Sequence, residues 1–130
     1  MQIAGRDEIN SAIAELVAML RSDYGWQADV LMRLREAVNG QDRQAVEELF
    51  GSGGIWGGAG SVHDVSFCDA VLDERKRKLL IELVDAFASA GITNRGASET
   101  VAIYRRWLAE SPFNRSLNGR KWECPLLGRK

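Results

Sequence analysis

The sequence predicts an all-α fold, a small bundle of about five helices with a glycine-rich loop between the third and fourth and an irregular C-terminal tail. Three observations lead there. Apolar residues recur three and four positions apart through most of residues 6–110, the spacing of one helix face rather than the alternation of a strand. Six glycines within residues 51–60 interrupt that pattern. Finally, 130 residues of 45% hydrophobic composition can enclose one core without disulfides or metal, so residues 1–130 read as a single domain.

The first helix begins near Arg6 or Asp7, carries the stripe Ile9, Ala12, Ile13, Leu16, Val17 and Leu20, and is over by Tyr24-Gly25. A second runs from about Trp26 to Val38 on Val30, Leu31, Leu34 and Val38, with Asn39-Gly40 as a left-handed stop. These two form an antiparallel hairpin. A short third helix reaches from Asp42 to Phe50, with Ala45, Val46, Leu49 and Phe50 on its apolar side. Periodicity resumes after Asp73, where Leu79, Leu80, Leu83, Val84 and Phe87 face inward, the run Glu74 to Lys78 lies on exposed turns, and Gly91 is the stop. Past the turn Thr93-Asn94-Arg95-Gly96, Ser98 is the expected N-cap of a last helix, with Tyr104 and Trp107 in the core and Ser111-Pro112 as its end. The tail, residues 111–130, is basic, and Phe113, Leu117, Trp122, Leu126 and Leu127 give it apolar anchors against the bundle.

Chemistry, if the chain performs any, is to be sought in the loop, residues 51–66. A run this rich in glycine loses too much backbone entropy to persist as helix or central strand. Such loops can converge main-chain N–H groups on an anion. However, a P-loop needs a lysine directly after its last glycine, and the next lysine here is Lys76; a dinucleotide fingerprint needs a strand before the glycines, and here a helix precedes them. Ser61, His63 and Asp64 are the residue types of acid–base and nucleophilic work, yet near-contiguous side chains rarely aim at one substrate atom. They are expected instead to satisfy loop N–H groups or line its rim, and no catalytic set is assigned. Ile55 and Trp56, large and apolar amid glycines, must plug the core or stand exposed, and an exposed tryptophan is a natural interface anchor. Trp56, Ser61, His63 and Asp64 are therefore the candidate partner-binding residues, with Gly57, Gly58 and Gly60 shaping the loop.

A formal net charge of -1 offers no global field to recruit nucleic acid or membrane. The charge is uneven, with five Lys/Arg against ten Asp/Glu in residues 1–65 and twelve against eight in 66–130. Cys68 and Cys124 share no metal-ligand spacing with His63, the sole histidine, so no metal or cofactor is expected and both thiols read as reduced. No stretch approaches the ~20 apolar residues of a membrane span and no basic region with a long apolar run opens the chain, which points to a cytosolic protein. Helix, turn and helix around Gly91–Gly96 offer DNA binding through Ser98, Glu99, Ala102, Arg105 and Arg106 as a second alternative. Glu99 and Glu110 offset those arginines, so nucleic acid is not the expected partner.

The segment Leu49-Phe50, then Gly57-Gly58-Ala59-Gly60-Ser61 with Asp64 three residues on, resembles a family of small uncharacterised bacterial proteins carrying a Gly-Gly-x-Gly-Ser-x-x-Asp loop between helices. The resemblance implies that Gly57, Gly58, Gly60, Ser61 and Asp64 form one characteristic loop; it implies no catalytic residue. In size, charge and helical content the chain also looks like the immunity proteins of bacterial toxin systems, which implies another protein, a toxin domain, as partner. The expectation is thus a non-enzymatic protein-binding domain; the alternative is a small ligand-binding or hydrolytic protein built on the loop.

Overall fold

The computed structural model describes residues 3–110, which form helical segments and no strand: α1 (Arg6–Leu20), α2 (Gly25–Asn39), α3 (Arg43–Phe50), α4 (Gly53–Trp56), α5 (Ala70–Ser89) and α6 (Arg95–Ala109). Five are helices of two turns or more, and α4 is a single turn. The small all-α bundle expected from the periodicity is therefore what forms. Helix α1 packs between α2 and α5, α3 lies on α2, and α6 on α5, while α4 touches α2 and α6. The core is the sum of the stripes: Ile9, Ile13, Leu16 and Leu20 meet Leu31, Leu34, Leu80, Leu83 and Phe87, all essentially without solvent contact. At its centre the rings of Phe50 and Phe87 lie 4.5 Å apart. No helix among the described residues is long and apolar enough to cross a membrane.

The starts of α3, α5 and α6 follow side-chain caps, which satisfy N–H groups that the first turn leaves without an intrahelical partner. Asp42 accepts from the Ala45 N–H, Asp69 from Val71 and Leu72, and Asn94 from Ala97. Two of these correct the boundaries read from periodicity. Helix α5 starts at Ala70 rather than after Asp73, because its first turn presents Val71 and Leu72 to solvent and so lies off the stripe. Helix α6 is capped by Asn94, not Ser98, and Ser98 lies within it.

Helix α5 ends as expected at Gly91, whose φ of 79° is left-handed; Gly91 and Ile92 donate to the Ala88 and Phe87 carbonyls and close the end. At the end of α2 the same pair of bonds runs from Gln41 to Val38 and from Asp42 to Ala37. The left-handed residue there is Gln41, at φ 56°, and Gly40 stays right-handed, one position early for the stop assigned to it.

The glycine-rich segment departs from the expectation of an entirely irregular loop. Gly53–Trp56 closes one helical turn, although α3 does not run into it, since Gly51 caps α3 and Ser52 is extended. Packing overrides propensity here. Ile55 is fully buried, and the Gly54 and Ile55 carbonyls accept from the Val62 and His63 N–H groups, folding the rest of the loop back over the turn. The tail and its anchors Phe113, Leu117, Trp122, Leu126 and Leu127 lie outside the described residues, as does Cys124.

Candidate functional site

Residues 57–66 leave α4, turn at Gly58–Gly60 and return across the bundle, with Val62 and Val65 buried beneath them. The fixed point is Gly57. Its carbonyl oxygen accepts both from the Ser61 hydroxyl at 2.9 Å and from Nε2 of His63 at 2.6 Å. A carbonyl can only accept, so Nε2 carries a proton. A Cβ on Gly57 would collide with the Gly53 carbonyl oxygen, so only glycine fits.

The candidate partner-binding residues are held in this frame, each with its own task. Ser61 is buried, and its hydroxyl points at Gly57 rather than at the imidazole. His63 is half-buried and stacked against the Trp56 indole, centroids 6.2 Å apart and planes 25° apart. Trp56 is also half-buried, set edge-on to Phe50 at 5.9 Å, with its Nε1 buried and unbonded. Asp64 is exposed, and its carboxylate accepts weakly from the Gly60 N–H at 3.4 Å. Of the loop-shaping glycines, Gly58 and Gly60 lie on the exposed crest. The loop thus brings Ser61 and His63 to one carbonyl acceptor. It makes no serine–histidine or histidine–aspartate hydrogen bond of the kind nucleophilic catalysis requires.

Neighbouring elements fasten the loop from three sides. From α2, Gln27 donates to the Gly60 carbonyl at 2.8 Å, and just ahead of that helix Tyr24 donates to Ser66 at 2.6 Å while its ring meets Phe67 edge-on. From α5, Asp73 accepts from the Phe67 N–H, and Nζ of Lys76 donates to the His63 carbonyl at 2.9 Å and the Val65 carbonyl at 2.5 Å. From α6, Tyr104 donates to the same His63 carbonyl at 3.1 Å. Burial lowers the lysine to about 8 against the attraction of Asp73 and Asp64, and raises the phenol to about 12.

Sequence reading placed Lys76 on an exposed turn, and the structure corrects this. The residue sits three and four positions before Leu79 and Leu80, on the core stripe, and is 5% exposed. Trp107, expected in the core, is instead 41% exposed with the Arg77 guanidinium 5.0 Å above its ring. Cys68 is disulfide-bonded, which corrects its reading as a reduced thiol; sequence separation does not show which thiols meet in space. Sequence reasoning also missed Trp26, 60% exposed and next in the chain to Gln27, whose side chain bonds to the loop. Four residues before Val30 and eight before Leu34, it falls on the side of the helix that carries the buried stripe, so periodicity gives no sign that it stands in water.

A groove of about 610 Å³ lies elsewhere, between α1 and α5, where Asp7, Glu8, Glu15, Glu82 and Asp85 surround Ala12, Leu79 and Ala86. Arg75 spans it with two bonds to Glu15, whose carboxyl that hydrogen bonding holds below its ordinary range. No group of histidines, cysteines and carboxylates among the described residues is arranged to hold a metal. Ser98, Glu99, Ala102, Arg105 and Arg106 share the exposed surface of α6, where Arg105 is paired with Asp85 and Glu99 with Arg95. Compared with protein-family models, curated proteins and solved structures, the chain matches none.

Proposed function

We propose that this chain is a non-enzymatic protein-binding domain of the immunity-protein kind, which contacts a toxin domain through Trp26, the crest Gly58–Gly60 and Asp64. The observation that carries the reading is the 60% exposure of Trp26 next to a loop fixed by hydrogen bonds. An aromatic ring in water on a rigid support is a strong interface anchor, because binding then orders few groups. Gln27, the residue after Trp26, donates to the Gly60 carbonyl, and the Gly60 N–H donates to Asp64, which joins the start of α2 to the crest and the carboxylate. Asp23 and Asp29 flank Trp26 in sequence and are exposed, which favours a partner with a cationic face. Trp56 and His63 act behind this surface, bracing the loop against Phe50.

Co-expression with the product of the neighbouring gene, followed by gel filtration, tests this. A stoichiometric complex is expected, at least tenfold weaker for Trp26→Ala with the fold unchanged. A lone monomer, or a complex indifferent to Trp26→Ala, would overturn the reading. The ligand-binding alternative is checked by thermal shift with nucleotides, phosphate and divalent cations, since a ligand at 100 times its Kd stabilises by about 2.7 kcal/mol.

A further inference from the structure

We propose that Lys76 is a proton-operated latch on the glycine-rich loop: uncharged, its amine fits the two carbonyls it holds, and when it takes up a proton it favours release of the loop from α5 and α6. The argument starts from counting donors. A neutral amine has two N–H bonds, matching the His63 and Val65 carbonyls; an ammonium has three and must also be taken out of water. Among the described residues no carboxylate makes an ion pair with it.

The groups facing Lys76 leave that cost in place. On α5, Asp73 attracts the charge but is engaged by the Phe67 N–H, and Arg77 repels it. On the loop, Asp64 attracts it from an exposed position, and the His63 ring points to Gly57. On α6, Tyr104 shares the His63 carbonyl, and burial keeps its phenol neutral to about 12, so it remains a donor while the lysine titrates. Desolvation outweighs both carboxylates and brings the lysine to about 8.

Opening the loop returns the amine to water and to its ordinary value of 10.5. Between these two values each fall of one pH unit raises the ratio of open to closed loop by up to about tenfold, and below 8 the ratio levels off. The loop is therefore held most firmly in alkali and most loosely at neutral pH and below. This does not depend on what the protein binds.

Amide hydrogen exchange on the full chain, corrected for intrinsic rates, reads the latch at the Val62 and His63 N–H groups. Their protection should fall about twentyfold from pH 9.5 to 7.5. It should stay below that of Leu31 and Leu34 in α2, as local opening requires. Lys76→Met should abolish the pH dependence and Tyr104→Phe should keep it. Should Lys76→Met fail to fold, titration of the wild-type Lys76 Nζ by NMR decides. A midpoint of 10 or above, loop protection independent of pH, a slope that survives in Lys76→Met, or loop amides that exchange only with the whole domain would each overturn the proposal.

Discussion

Arg43, the first residue of α3, donates to the Gly91 carbonyl at 2.9 Å and to the Ala90 carbonyl at 3.2 Å, so one guanidinium closes the C-terminus of α5. The cation sits at the negative end of the helix, where the last carbonyls lack intrahelical partners. Gly91 is left-handed, and a Cβ there would stand 3.2 Å from Nη2 of Arg43. Gly91→Ala should therefore cost about 1–2 kcal/mol from backbone strain, with a further loss if Arg43 is displaced. Urea unfolding measures this, and an unchanged midpoint would remove the strain argument.

The end of α2 offers the opposite experiment. Gln41 occupies a left-handed position that favours glycine, and its side chain is exposed. Gln41→Gly should raise stability by about 1 kcal/mol, the relief of strain less the entropy of the added glycine. A destabilised variant would mean that Gln41 does more than turn the chain.

Stability should itself depend on alkaline pH with a predictable sign. Lys76 has a folded value of about 8 below its unfolded 10.5, so the unfolded state holds more protons between them and stability climbs as pH rises. The slope has an upper limit of about 1.4 kcal/mol per pH unit. Tyr104 has a folded value of about 12 above its unfolded 10.0, so its contribution is complete below pH 10 and is lost between 10 and 12. Unfolding free energies at pH 7.5, 9, 10 and 11 should accordingly peak near 10, and Lys76→Met should flatten the rise. A steady decline from neutrality would contradict both assignments.

The cap of α6 distinguishes two side chains directly. Asn94→Ala removes the acceptor of the Ala97 N–H and should cost about 1 kcal/mol. Ser98→Ala, within the exposed first turns of the helix, should change stability by less than about 0.5 kcal/mol. Thermal melts of both variants suffice, and a larger loss at Ser98 would reinstate it as the cap.

The helical frame was legible because its stripes are long: every residue of the α1 stripe, Ile9 to Leu20, is buried as its spacing demands. Two of the misreadings, Lys76 and the stop of α2, share one cause, which is residue type weighed above position. Lys76 lies in register with Leu79, Leu80 and Leu83, yet a charge run is normally solvated, so its place on the stripe went unused. Trp107 shares helical spacing with Tyr104 but lies outside the buried stripe Ala97, Val101 and Tyr104, beneath Arg77, and Asn39-Gly40 reads as the left-handed stop for its glycine.

The loop was legible as an interruption but not as a structure. Nothing local shows that Val62 and His63 bond back to Gly54 and Ile55, or that Ser61 and His63 share the Gly57 carbonyl. These are contacts across a folded-back chain, and composition carries no information about them. The exposure of Trp26 was beyond a helical wheel, which sets it four residues before Val30 on the buried side; only its place in the first turn of α2 leaves it in water.

The tethering of residues 57–66 bears on how this protein can be handled and altered. A glycine-rich stretch invites the insertion of an affinity tag, a dye or a protease site anywhere along it. Here a side chain at position 57 has no room, and residues 61–66 are fastened by their own backbone. Ala59 is exposed, and an added Cβ at Gly58 meets nothing within 4 Å. A reporter belongs at that tip, where it would sense an approaching molecule while the scaffold underneath keeps its shape.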